Sequence, residues 1–111
     1  MEITVRDEGD TKVVKLDGKL DTNTTPLAES EINALLEGGT EKLLVNFERI
    51  SYISSSGLRL LLATAKILKG RGGELTVCSL NEMATEVFEI SGFSSIINVF
   101  ASEQDALGGT A

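Results

Sequence analysis

Residues 42–47, "KLLVNF", place apolar side chains at successive positions, and that run limits the possible folds more than any other stretch. A strand with water on one face alternates apolar and polar; one that is apolar on consecutive residues is covered on both faces, as in a parallel or mixed sheet packed under helices. Parallel neighbours cannot be joined by tight turns, so the flanking chain must supply crossover helices. Upstream, Thr25 can N-cap a helix with Pro26 at its first position, and Ala28, Ile32, Leu35 and Leu36 recur at helical spacing until Gly38 and Gly39. Downstream, Leu58, Leu61, Leu62, Ala65 and Leu68 form the stripe of a second helix that ends at "GRGG". Leu60 and Ile67 lie off that stripe and are either core against a neighbouring helix or part of a partner surface, with core preferred.

The remaining segments fit the same scheme. Ile3 and Val5 alternate with polar residues, and Val13, Val14 and Leu16 follow the turn-like "RDEGD", so the chain opens as a hairpin before "GKLDTNTTP" breaks the pattern. "ELTVCSL" reads as a strand, Asn81 can cap the helix "EMATEVFEISG", and "SIINVF" reads as a last short strand. Ser102 with Asp105 resembles a capping box for a final turn or two of helix. The expected order is ββαβαβαβα: an α/β fold with a mixed sheet of four to five strands, in one domain over residues 1–111.

Composition removes several functions. With 17 acidic and 10 basic side chains the chain carries a net charge of −7, a field that repels phosphate backbones and anionic membrane surfaces, so neither nucleic acid nor direct membrane insertion is expected. No basic and apolar leader opens the sequence, and no stretch approaches the roughly eighteen apolar residues of a membrane span, so a cytoplasmic location is expected. There is no histidine and one cysteine, which excludes Ser-His-Asp and Cys-His catalysis and zinc sites of usual composition. A carboxylate-only metal site stays open, but Asp7, Glu8, Gly9 and Asp10 lack the spacing of a calcium loop and read as a hairpin turn. No catalytic residue, metal or cofactor is expected. Cys78, within "ELTVCSL", reads as a buried small hydrophobe in preference to a reactive thiol.

In a sheet of this kind the loops that follow the strands gather along one edge, where function is to be sought. "ISSSGL", residues 53–58, falls there, between the central strand and the second helix. Three uses compete for its hydroxyls. One of them, Ser55 or Ser56, can cap the helix, which uses a single serine. A phosphate-binding loop is disfavoured because no G-x-x-x-x-G-K-[ST] or G-x-G-x-x-G pattern occurs. A covalent use remains: a serine at a helix start that accepts a phosphoryl group whose charge the helix dipole stabilises, with Arg59 four residues from Ser55 on the same face. A serine hydrolase with a lysine base is disfavoured, since Lys66 and Lys69 lie several helical turns away.

The chain resembles the STAS-domain anti-sigma factor antagonists. The resemblance rests on "GKLDTNT" after the second strand, on "LLVNFERISYISSSGLRLLL" through the centre and on "GGELTVCSLNEMATEVFEISGF" beyond it. The family's central motif, Asp-Ser-Ser-Gly-Leu or Ser-Ser-Ala-Gly-Leu, is matched by Ser54, Ser55, Ser56, Gly57 and Leu58, with Ser54 standing where many members carry Asp. The resemblance implies a non-enzymatic switch. The unphosphorylated protein binds an anti-sigma factor, itself an ATP-binding serine kinase, and frees the sigma factor; phosphorylation of Ser55, with Ser56 and Ser54 as lesser candidates, dissolves the complex, and a PP2C-type phosphatase restores the serine. Asp21, Thr22, Asn23, Ser54, Ser56, Gly57 and Arg59 are then the expected partner surface. The alternative keeps the fold and makes the chain an unphosphorylated accessory or ligand-sensing STAS subunit of a membrane transporter complex.

Overall fold

A computed structural model describes residues 1–108 of the chain, so the last three residues of the expected domain lie outside the described ones. Its order is β1 (Glu2–Glu8), β2 (Thr11–Leu20), α1 (Thr25–Glu37), β3 (Lys42–Ile53), α2 (Ser55–Gly70), β4 (Glu74–Cys78), α3 (Glu82–Ile90), a 3-10 turn (Phe93–Ser95), β5 (Asn98–Phe100) and α4 (Glu103–Ala106). This is the expected ββαβαβαβα.

The strands lie in the order β1-β2-β3-β4-β5, with β1 antiparallel to β2 and the rest parallel, so the sheet is mixed. β3 is central, as the consecutive burial of Leu43, Leu44, Val45, Asn46 and Phe47 requires: Leu43, Val45 and Phe47 join the main core with residues of α1, α2 and α3, while Leu44 joins Val13 and Cys78 on the opposite face. There α4 lies, packing Ala106 and Leu107 against that smaller cluster. Arg6 of β1 pairs with Glu103 of α4, whose other carboxylate oxygen accepts from Asn46 Nδ2 at 2.6 Å. These bonds hold Glu103 below its usual range, the Arg6 guanidinium first and Asn46 with it, against an opposing contribution from burial.

Two strands outrun the sequence pattern. β2 continues to Leu20 and β3 to Ile53, the two pairing in parallel beyond the point where β4 stops at Cys78. Register shifts between Lys15 and Asp17 and between Gly18 and Lys19 break the two-residue alternation in this extension, which hides it from a periodicity reading. The run "SIINVF" is strand only over Asn98–Phe100; Ile96 and Ile97 belong to the turn that follows α3, with Ile97 buried in the main core.

The helices also correct details. α1 starts at Thr25, so Thr24 and not Thr25 holds the N-cap position, and Pro26 is the second helical residue. In α2 the buried stripe is Gly57, Leu60, Leu61, Thr64, Ala65 and Leu68. Leu60 is core as expected, whereas Ile67 lies one step further round the helix and is 43% exposed. At the far end of α2, Arg71 Nη1 donates to Leu36 O at 2.7 Å, a cation against the last carbonyls of α1. Asn81 caps α3 as expected, accepting from Ala84 N at 2.8 Å, and Ser102 accepts from Asp105 N at 3.1 Å. Cys78 is buried, and that burial pushes its thiol above the usual range.

Candidate functional site

β2 and β3 end together, Leu20 paired with Ile53, so the loops that follow them stand side by side at the carboxyl edge of the sheet. Leu20 couples the two loops. Its carbonyl accepts from Ser54 N at 2.8 Å, and its side chain lies under Gly57, where a Cβ would stand 2.9 Å from Leu20 Cγ. Only glycine lets the start of α2 settle so closely on the end of β2.

The three serines occupy three different environments. Ser54, extended at φ −85° and ψ 171°, is the N-cap: its Oγ accepts from Gly57 N at 3.2 Å and lies 2.9 Å from Ser56 Oγ. The expectation that Ser55 or Ser56 caps the helix is therefore corrected by one or two residues, because Ser54 is the last residue with extended backbone and the only one whose hydroxyl faces the amide three ahead. Ser54 is 9% exposed and Ser56 half-buried. Ser55, the first residue of α2, is exposed, and its hydroxyl has no hydrogen-bond partner among the described residues.

The neighbouring loop is held by Asp21. Its Oδ1 accepts from Asn23 N at 2.9 Å and Thr24 N at 3.0 Å, while Thr24 Oγ1 accepts from Asp21 N at 2.9 Å and donates to Lys19 O at 2.5 Å. Thr25 Oγ1 donates to Asp21 O at 2.6 Å. In the first turn of α1, Thr25 N donates to Asp21 O and Leu27 N to Thr24 O, both at 2.9 Å, and Pro26 has no N–H, so no amide there requires a side-chain cap from Thr24, whose hydroxyl is engaged by Asp21 N and Lys19 O. The amide of Thr24 is the main cause that keeps the Asp21 carboxyl below its usual range, with Asn23 assisting and burial opposing.

Of the residues expected at a partner surface, Thr22, Asn23 and Arg59 are exposed, and Asp21 and Ser56 are half-buried. Ser54 and Gly57 are buried, and shape this edge from beneath. Sequence reasoning missed the surface beside them: Ile53, Leu58, Met83 and Val87 line a shallow apolar cleft between the start of α2 and α3. The signal was present in Met83 and Val87, four residues apart on one helix face. A wider, open concavity lies at the opposite edge of the sheet, where Lys12 pairs with Asp7 and Lys42 with Asp10. No helix of the described residues is long and apolar enough to cross a membrane.

A layer of helices over a mixed five-stranded sheet, with a serine-rich helix start at the carboxyl edge, agrees with the comparison to known proteins. The family model described as STAS domain matches residues 2–106. The chain belongs to the STAS domain family. Its relatives include BtrV of Bordetella bronchiseptica, 40% identical over 91 residues that cover 82% of this chain and 78% of BtrV. Another is the anti-sigma-B factor antagonist of Staphylococcus aureus, 34% identical over 86 residues, 78% of this chain and 80% of that one. Among solved structures, the Bacillus cell fate determinant SpoIIAA in its phosphorylated form has the same fold, with a TM-score of 0.78 at 24% identity over 99% of this chain and 100% of SpoIIAA. Within the family, then, the chain groups with the anti-sigma factor antagonists.

Proposed function

We propose that this chain is an anti-sigma factor antagonist that works by partner switching, with Ser55 as the residue that throws the switch. The unphosphorylated protein binds an anti-sigma factor that is itself an ATP-dependent serine kinase, and so releases the sigma factor. The kinase then phosphorylates Ser55, the complex separates, and a PP2C-type phosphatase returns the serine. ATP and metal act on the partners' side, and this chain supplies the acceptor hydroxyl and the surface around it.

The observation that carries this reading is the isolation of the Ser55 hydroxyl. It is exposed at the first position of α2 and unbonded among the described residues, whereas Ser54 is buried in the cap and Ser56 is bonded to it. A phosphoryl group there adds about −1.5 to −2 charges next to the positive end of a helix whose first turn contains no acidic residue, so the domain tolerates it. The interface does not. In a protein already at −7, a dianion at the centre of a contact must be desolvated and set against the partner's own charges. A hundredfold loss of affinity needs only about 2.7 kcal/mol, within reach of one misplaced charge. Thr22, Asn23 and Arg59 form the polar rim of the proposed surface, and the cleft of Ile53, Leu58, Met83 and Val87 supplies apolar area beside it.

The test is intact and tandem mass spectrometry of the protein incubated with ATP and the serine kinase encoded nearest to it, with Ser55→Ala alongside. One phosphate on wild type, at Ser55, and labelling of the variant at no more than about a tenth of that rate is the expected result. Absence of both phosphate and binding with every candidate kinase would reject the switch and favour the accessory-subunit role. Charge reversal at Arg59 tests the surface: kinase binding should weaken, and unchanged binding would move the interface elsewhere.

A further inference from the structure

Three serines in succession pose a problem of selectivity that burial alone does not solve, because Ser56 is half open to solvent and only one residue from Ser55. We propose that the hydrogen bond between Ser54 and Ser56 is a selectivity device: it holds the Ser56 hydroxyl inward and leaves Ser55 as the single available acceptor, with Ser54 acting as a positioning residue. The inference rests on the phosphorylation reading above and goes beyond it by assigning a role to each flanking serine.

Every polar atom of Ser54 is committed. Its N–H donates to Leu20 O at 2.8 Å, its carbonyl accepts from Leu58 N at 3.0 Å, and its Oγ accepts from Gly57 N at 3.2 Å. A hydroxyl has one proton and two lone pairs, so Ser54 Oγ retains one further valence of each kind, and Ser56 Oγ at 2.9 Å takes one. Because Ser54 is anchored on both sides of its backbone, it cannot follow Ser56 outward; Ser56 must break the bond to reach an incoming phosphate. Phosphoryl transfer requires the attacking oxygen to align with the γ-phosphorus: the serine Oγ–P bond forms, the bond to the ADP leaving group breaks, and the hydroxyl proton passes to a base on the kinase. Ser55 meets that requirement without losing any bond. Ser56 meets it only after giving up its contact with the cap, and the loss of a hydrogen bond of ordinary net strength lowers its reactive population on the order of five- to tenfold.

The device predicts a pattern across variants, read by site-resolved mass spectrometry during incubation with ATP and the kinase identified above. Wild type takes phosphate at Ser55. Ser55→Ala takes it at Ser56 at no more than about a tenth of that rate. In the double variant Ser54→Ala with Ser55→Ala the bond is gone, and Ser56 phosphorylation rises roughly five- to tenfold over Ser55→Ala. Ser54→Asn with Ser55→Ala restores both a cap acceptor and a partner for the Ser56 hydroxyl, and labelling falls back. Thermal melts of each variant confirm that the assay temperature lies below unfolding, so that a change in site is not a change in folding. Wild-type labelling at Ser55 together with free labelling of Ser56 in Ser55→Ala overturns the device and leaves the switch intact. The device is equally overturned if the Ser54→Ala double variant gains nothing over Ser55→Ala. An unlabelled wild type overturns the switch and the device together.

Discussion

Gly70 and Gly73 stand three residues apart at the end of α2, and alanine at the two positions should have opposite effects. At Gly70 a Cβ meets nothing within 4 Å; at Gly73 it would stand 1.9 Å from the carbonyl oxygen of Glu41 and 2.7 Å from its carbon. Carbon and carbonyl oxygen approach no closer than about 3.3 Å without strain, so roughly 1.4 Å of separation must be found between two main chains. The obstacle is backbone, so no rotamer relieves it. Glu41 O is also the acceptor for Glu74 N at 2.9 Å, and Gly73 N donates to Leu68 O at 2.8 Å. Opening the gap therefore breaks the first contact between β3 and β4, just ahead of the Lys42–Glu74 pair, and moves Leu43 and Leu75, both buried in the core. A lost backbone hydrogen bond costs about 1 kcal/mol, and displaced core packing a further 1–3 kcal/mol, so Gly73→Ala should cost about 3 kcal/mol. At about 4 °C per kcal/mol for a domain of this size, the melting temperature should fall by roughly 12 °C. Gly70→Ala should hold or raise it by a few degrees at most, through reduced freedom of the unfolded chain. Thermal melts followed by circular dichroism, with urea titrations for the free energies, measure both. A Gly73→Ala variant within 1 kcal/mol of wild type would refute the clash and the seam built on it.

Three further outcomes follow from named contacts. Ser54→Ala should lower stability by about 1 kcal/mol through loss of the cap, whereas Ser55→Ala should stay within about 0.5 kcal/mol of wild type; equal losses in urea titration would contradict the distinct environments of the two serines. Glu103 is held below its ordinary value of 4.5, so its ionised form stabilises the fold above that pH and the benefit is lost as pH falls through the lower folded value. Glu103→Gln should accordingly cost under about 1 kcal/mol at pH 7, with the penalty shrinking as pH falls below 4.5 and the folded carboxylate takes up its proton, and a penalty that acid does not diminish would show that α4 is held by other contacts. Cys78, buried and with its thiol pushed up by that burial, should react with iodoacetamide at least about a hundredfold faster in denaturing urea than in buffer, and rapid labelling of the native protein would contradict its place in the sheet.

The order of elements was legible because each carries its own period: consecutive apolar residues in "KLLVNF", helical spacing in α1 and α2, and Asn81 ahead of an amphipathic run. The extension of β2 and β3 was not, because two register shifts destroy the alternation that would announce it. The position of the serines at the carboxyl edge followed from topology, but their division of labour did not. Which hydroxyl caps α2 depends on the backbone angle at Ser54, and that angle is set by the bond from its amide to Leu20, thirty-odd residues earlier in the chain. Asp21 shows the same limit: the resemblance placed it at a partner surface but gave no sign that its Oδ1 also accepts the amides of Asn23 and Thr24 in its own loop. Ile67 was assigned to the core on residue type, yet the width of the buried stripe ends at Leu60. Arg6, Asn46 and Glu103 meet across ninety-seven positions, and no local pattern encodes such a meeting.

Leu20 has a consequence for how such a switch diversifies. Because one buried residue braces both the 21–24 loop and the start of α2, the scaffold of the site is internal, while the side chains of Thr22, Asn23 and Arg59 project from it with no hydrogen bond among the described residues. Recognition and architecture are therefore written in separate letters. On the proposed function, duplicated copies of such a domain can exchange the exposed letters, and so acquire partners that ignore one another's antagonists, without reopening the question of whether the domain folds.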